Sequence, residues 1–379
     1  MVYFDYNATT PLDPAVREAM LPFLGDVWGN PSSIHRVGRQ ARALLDEARE
    51  RAAKVLKSKP SEIVFTSGGT ESNNLAIFGT ARLLKSKGRH LITSAIEHRA
   101  VLNCFDYLEK KEGFDVTRLP VDSEGCVAVG DLRRAIRPDT VFVSVMAANN
   151  EIGTIQPVSE LGAVCREHGI VFHTDAAQWF GKEPVESAAQ FNADLVSICA
   201  HKFHGPKGAG LLYIRSPLQP EPILFGGSHE NERRAGTENL AGIFGFIEAM
   251  ERFVSPPVFD RRHLEPLTQQ LMDRISVVDG LEFVGSRNYR LANTASFIAR
   301  GVDGIVLLGA LDIEGICASG GAACSAGSLD PSHVIIAVGR RDSAHSLVRF
   351  SLGSRSTARE VDFVCRVLPE VTRRAQLGK

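Results

Sequence analysis

The chain has 379 residues, 44% of them hydrophobic and 23% charged, which permits a sizeable core and excludes disorder as the main state. Lys+Arg 43 against Asp+Glu 44 leaves a formal charge of −1, so no basic surplus points to direct nucleic-acid binding and no acidic excess to a cationic partner. No apolar run approaches the about 18 residues of a membrane span, Met1–Ala15 lacks a secretory-signal pattern, and 7 scattered cysteines without a CxxC fit a reducing cytoplasm better than a disulfide framework or zinc site.

In chain order, a Gly29–Ser33 loop precedes the clearest helix. Val37, Ala41, Leu44, Leu45, Ala48, Ala52, Val55 and Leu56 recur at helical spacing, and the spacing predicts a helix over Val37–Leu56. Glu47–Arg51 and Glu50–Lys54 are favourable pairs on its wet face. Short β-like runs follow at Glu62–Phe65, His90–Thr93, Val141–Met146, Gly169–His173, Leu195–Ile198 and Gly210–Ile214. Amphipathic stretches such as Val158–His168 separate several of them, which argues for an α/β domain with a mostly parallel sheet. A Ser-Pro-Pro segment within Phe253–Phe259 marks a boundary near residue 255. A helical stretch (His263–Ile275), a run at Thr294–Ile298 and a Gly/Ala/Ser segment then form a smaller C-terminal lobe. There is no internal repeat.

Ligands of α/β sheets bind beyond the carboxyl ends of strands, so polar residues directly after apolar runs are the first suspects. The run ending at Phe65 leads into Thr66-Ser67-Gly68-Gly69-Thr70, a turn whose backbone N–H groups and hydroxyls suit a phosphate, or serve as a plain capped turn. No Gly-Lys-Ser/Thr follows, so it is not a Walker A loop. The run at Gly169–His173 ends in Asp175 and Gln178. A carboxylate there needs a cation or a donor, such as a protonated ring nitrogen; the other reading is a helix cap. The next run ends in Cys199-Ala200-His201-Lys202, before a Gly/Pro-rich loop. A lysine in a partly desolvated, cationic pocket becomes an amine nucleophile or base, whereas an exposed one is ordinary surface. His201 and His204 lie three apart, but no second pair has matching spacing, so no metal site is expected. Finally, Ser319–Ser328 is Gly, Ala or Ser throughout except for Cys324. A thiol with so little side chain around it reads as a nucleophile that can travel, against the alternative of a small buried hydrophobe.

Together these segments resemble the cysteine desulfurases of the NifS/IscS type, fold-type I pyridoxal 5′-phosphate (PLP) enzymes of the aminotransferase class V group. The resemblance rests on DYNATTPLDP (5–14), GNPSSIHRVG (29–38), IVFTSGGTESNN (63–74), IEHRAV (96–101), ANNEIGTIQP (148–157), HTDAAQ (173–178), AHKFHGPKG (200–208), RRAGTEN (233–239), CSAGSLDPSHV (324–334) and VRFSLG (348–353), and spans nearly the whole chain. It implies an α/β PLP-dependent transferase fold, with a large cofactor domain of mostly parallel sheet over residues 15–255. Residues 1–14 and 256–379 would form a small α/β domain that carries the cysteine segment.

The resemblance also implies roles. Lys202 holds PLP through its amine and moves the substrate Cα proton. Asp175 pairs with the ring nitrogen, Gln178 with the ring oxygen, and His98 stacks on the ring. Gly69, Thr70, Cys199 and His201 meet the phosphate, and Thr237 reaches the phosphate of a neighbouring subunit, which implies a homodimer. Arg349, assisted by Asn150 and Asn7, holds the carboxylate of L-cysteine. Cys324 takes the sulfur as a persulfide, for delivery to an acceptor protein of iron–sulfur assembly or of tRNA or DNA sulfur modification, in the cytoplasm. A selenocysteine lyase or other PLP β-lyase is the alternative within the fold, and a non-catalytic sulfur-relay or assembly platform the alternative outside enzymes. The chain departs from the family pattern at Cys199, where serine is usual, and at Gly226-Gly227-Ser228, where a third glycine is usual. It also ends at Lys379 without the longer tail of IscS-type members.

Overall fold

The first residues form a short strand, β1 (Val2–Tyr3), and lead into α1 (Pro14–Met20). The Asp13 side chain caps α1, accepting from the backbone of Ala15 and Val16. The long helix α2 (Arg36–Leu56) buries Ala41, Leu45, Ala48, Ala52 and Leu56, the stripe read from the sequence, and stops at Lys57 in the left-handed region (φ 47°). The computed structural model describes residues 1–321 and 331–377.

Strands and helices then alternate: β2 (Ile63–Thr66), α3 (Gly69–Leu84), β3 (His90–Ser94), α4 (Arg99–Glu112), β4 (Asp115–Leu119), α5 (Val129–Ala135), β5 (Thr140–Ser144), α6 (Val158–Glu167), β6 (Val171–Asp175), β7 (Leu195–Cys199), β8 (Gly210–Ile214) and α7 (Leu240–Phe253). One 7-stranded sheet results, in the order β2-β8-β7-β6-β5-β3-β4. β8 is the one strand of the seven that runs against the rest. Successive residues point to opposite faces: Phe65, Ile92, Val143 and Leu211 join one apolar cluster, and Val64, Leu91, Phe142 and Leu212 the other. A sheet covered on both faces needs near-continuous apolar strands, which is why these runs stood out in the sequence.

The chain continues through α8 (Arg261–Val277), β9 (Leu281–Val284), β10 (Thr294–Ala299), α9 (Gly304–Ile313), β11 (Ile316–Cys317), α10 (His333–Ala337), β12 (Leu347–Ser351) and α11 (Ala358–Leu377). An antiparallel sheet β12-β10-β9 packs with α8 and α11 around a separate core that includes Leu271, Phe297, Phe350 and Val364. The N-terminal strand belongs to this core. β1 pairs parallel with β11, and Phe4 and Tyr6 pack beside Phe350 and Phe259. At Gly353 a Cβ would lie 2.1 Å from the Tyr6 ring, so only glycine lets the Tyr6 ring lie against this backbone. Val258 packs against both cores.

Candidate active site

The carboxyl ends of β2, β3, β5, β6 and β7 open into one cleft of about 760 Å³. Its lining includes Asn7, Gly69, Thr70, His98, Asn150, Asp175, Gln178, Cys199, His201, Lys202 and Arg349. One end is the Gly68–Thr70 turn. Gly68 has φ +151°, and on Gly210 beneath it a Cβ would meet the Gly68 Cα at 2.6 Å. Gly68 supplies no side chain to cap α3, so the first-turn N–H groups face whatever anion arrives. Burial pushes the Cys199 thiol pKa up, opposed by the Lys202 cation and by the backbone N–H groups of Gly69 and His201. His201, hydrogen-bonded to Thr9 Oγ1 at 3.1 Å, is held down to about 4 by burial and by the Lys202, Lys207 and Lys182 cations, so it is neutral.

Asp175 closes β6 and is 6% exposed. It accepts from Asn73 Nδ2 at 2.6 Å and from the Ala177 N–H at 3.0 Å. A desolvated carboxylate served by neutral donors fits a cationic ring N–H. The groups behind it are uncharged at neutral pH. Burial holds His173 down to about 4 while it bridges Ser144 Oγ (2.8 Å) and Ser197 Oγ (3.0 Å). Burial pushes the Glu97 carboxyl up to about 8, against the bonds it takes from Ser94 Oγ and the Met146 N–H.

Lys202 ends the turn that follows β7, and its Nζ donates to the carbonyls of Asn7 and Ala8, both at 2.8 Å. His98 caps α4. Its Nδ1 accepts from the Ala100 N–H at 3.1 Å, which puts the proton of the neutral ring on Nε2. Arg349, in β12, is 1% exposed. It donates to the Asn150 carbonyl at 2.6 Å and to Asp5 Oδ1 at 2.7 Å. Its Nε is buried with no partner among the described residues, a donor left over for a ligand carboxylate. An anion cradle, a desolvated carboxylate, a lysine amine and a buried guanidinium in one cleft fit the phosphate, ring nitrogen and aldehyde carbon of PLP and the carboxylate of its amino-acid substrate.

Two of the expected residues are not among these. Thr237 is exposed and lines a different cleft, with Ser67, Glu230 and Arg234. Cys324 lies outside the described residues. The residues flanking residues 322–330 are tied to the cleft wall. Ser319 exchanges backbone hydrogen bonds with Arg349 (3.2 and 2.7 Å), and Ser332 Oγ donates to Glu151 Oε2 at 2.6 Å. Sequence reasoning missed Asp5, Asn73, Glu97, His173 and Lys182. All but Lys182 lie within or directly beside the quoted motifs, and Lys182 follows Gln178 at one helical turn. Among the described residues no cluster of metal-ligating side chains comes together, and no helix is long and apolar enough to cross a membrane.

Residues 2–364 match the model of the aminotransferase class-V family. The cysteine desulfurase IscS of Dictyoglomus turgidum is 47% identical over 372 residues, 98% of this chain and 94% of that protein. The protein of the same name from Methanosarcina thermophila is 45% identical, over 98% of this chain and 92% of its own length. Among solved structures, a NifS-like protein superposes with a TM-score of 0.90 at 38% identity, covering 98% of this chain and 99% of its own. SspA in complex with cysteine superposes with a TM-score of 0.79 at 37% identity, covering 94% and 100%.

Proposed function

The chain belongs to the aminotransferase class-V family, among the PLP-dependent cysteine desulfurases of the NifS/IscS type, and we propose that its cleft converts L-cysteine to L-alanine and leaves the sulfur on Cys324. The observation that carries this is the meeting of Lys202, Asp175, His98 and Arg349 below the Gly68–Thr70 turn. When bound, PLP supplies an electron sink for the bond broken at the substrate Cα.

The residues of the chain do the rest. The α3 N-terminus with Thr70, Cys199 and neutral His201 holds the phosphate. Asp175 keeps the proton on the ring nitrogen, and Gln178 donates to the ring oxygen. His98 covers the ring face with its proton on Nε2. Arg349 binds the substrate carboxylate through a fork that Asp5 and the Asn150 carbonyl hold in place, with Asn7 packed beside them. The Lys202 amine takes the Cα proton and returns one. The Cys324 thiolate attacks the substrate sulfur. A sulfur–sulfur bond forms as the substrate Cβ–S bond breaks, so Cys324 ends as a persulfide and the carbon skeleton, reprotonated, leaves as alanine.

Thr237 is read as serving the cofactor phosphate of a second subunit, in keeping with its exposure away from its own cleft, so the active unit is a homodimer. Residues 15–255 form the cofactor domain, and residues 1–14 with 256–379 the small domain. In the cytoplasm the persulfide is passed to a protein acceptor of iron–sulfur cluster assembly or of tRNA or DNA sulfur modification. The test is Cys324→Ala: the desulfurase reading requires alanine formation from L-cysteine to collapse. Sulfide released with pyruvate and ammonia in that variant, in place of alanine, would mean a β-lyase instead.

A further inference from the structure

Behind the cleft wall, against Asn7 and Gln178, sits a second buried lysine to which the reaction above gives no task. Lys182 is 3% exposed. Its Nζ donates to Asn7 Oδ1 at 2.7 Å and to Gln178 Oε1, and the Phe259 ring centroid lies 5.6 Å away. The carboxylate next to it in the chain, Glu183, is already paired with Arg261 at 2.7 Å. Burial, and then the Lys202 and Arg349 cations, hold the Lys182 pKa well below the usual lysine range, with Glu183 opposing.

A side-chain amide has two unlike ends, and an amine N–H is satisfied only by its oxygen. Lys182, together with the Asn7 carbonyl, therefore settles which way the Gln178 amide points. With Oε1 on Lys182, Nε2 donates to the Asn7 carbonyl at 3.0 Å, the same carbonyl that takes Lys202 Nζ at 2.8 Å. A flipped amide would set NH2 against Nζ and oxygen against oxygen. Asn7 does not depend on Lys182 in this way, because its Oδ1 has a second donor, Asn293 Nδ2, at 3.0 Å. Among the described residues, Lys182 is the one donor to Gln178 Oε1.

We propose that Lys182 is a positioning residue: by holding the oxygen of Gln178 it turns the amide N–H of Gln178 toward the cofactor ring. This rests on the reading that the cleft takes PLP. Lys182 acts by donating a hydrogen bond, not by its charge, so a neutral donor can replace it.

The test uses the PLP-loaded protein and follows the pH titration of the visible band that depends on Lys202. Lys182→Met should raise the midpoint by about half to one pH unit, the equivalent of one net hydrogen bond lost at the ring oxygen. Lys182→Gln, an uncharged donor one bond shorter, should restore the parent midpoint. Gln178→Ala should show the Lys182→Met shift by itself, and adding Lys182→Met to it should change nothing further. Thermal unfolding of the cofactor-free variants checks that each folds, and Lys182→Gln against Gln178→Ala still decides the matter if Lys182→Met does not. An unmoved midpoint in Lys182→Met overturns the inference, as does Lys182→Gln shifting as far as Lys182→Met, or a Lys182→Met shift undiminished in the Gln178→Ala background. If the parent protein shows no Lys202-dependent band, the cofactor reading falls and takes this inference with it.

Discussion

Arg49 and Glu230 form a buried ion pair below the loop that leads to Thr237, and replacing Arg49 with methionine should destabilise the protein by about 3–5 kcal/mol. The pair is bidentate, at 2.7 and 2.8 Å, with side-chain exposures of 9% and 1%. Arg49 also donates to the Ile63 carbonyl at 2.7 Å and stacks over Phe65 at 5.0 Å. Without the guanidinium, the Glu230 carboxylate keeps one direct donor among the described residues, the Phe65 N–H at 3.0 Å. A buried carboxylate stripped of its bidentate partner, with Arg233 and Arg234 left as more distant cations, dominates that loss, so removing the charge should recover much of it. Arg49→Met/Glu230→Gln should be more stable than Arg49→Met alone by about 1–2 kcal/mol, because the glutamine oxygen still accepts from Phe65 and carries no charge. The loop has strain to hold as well: Glu230, Asn231 and Glu232 are successive non-glycine residues at φ 49°, 55° and 67°. Urea unfolding of the cofactor-free proteins, compared by midpoint at equal slope, reads both differences. A double variant no more stable than Arg49→Met would refute the reasoning, as would a loss below about 1 kcal/mol for Arg49→Met alone.

Other expectations follow from the cleft. Burial raises the Glu97 carboxyl from 4.5 to about 8, so the folded protein keeps a proton that the unfolded chain releases. Wild-type stability is therefore lost between those two values as pH rises, by at most about 5 kcal/mol, and Glu97→Gln should gain on the parent in thermal midpoint across that range. A constant difference would contradict the assignment. Arg349→Lys replaces a planar fork with a point charge and should raise KM for cysteine about 10–100-fold, with a smaller change in kcat; an unchanged KM would remove Arg349 from the substrate site. Cys199→Ser gives the phosphate cradle a better donor and should tighten PLP binding about 2–5-fold in equilibrium dialysis; weaker binding would refute that placement.

The central sheet was legible because its strands are buried on both faces and read as apolar runs, and the site was legible where such a run ends in a polar residue, as at Asp175 and Lys202. β4 escaped because it is an edge strand. Of Asp115–Leu119 only Leu119 is buried, and the run looks like surface. Arg349 sits in mid-strand, paired with Ser296 across the small sheet, and no spacing rule marks it; only the resemblance did. Lys182 was the hardest to see. It follows Phe180-Gly181 with no strand end nearby, and its burial comes from Asn7 and Phe259, segments far away in the chain. Glu97 and His173 are polar residues inside apolar surroundings, and their cross-strand partners (the Met146 N–H for Glu97, Ser144 and Ser197 for His173) are settled only once strands lie side by side.

The account turns on Cys324 taking sulfur from cysteine. The most direct measurement is an intact-protein mass spectrum of the PLP-loaded enzyme after a brief exposure to L-cysteine, with peptide mapping and alanine measured in the same sample. The account predicts a gain of one sulfur atom located on Cys324, with one alanine formed for each. Alanine formed without any sulfur adduct on the protein would contradict it.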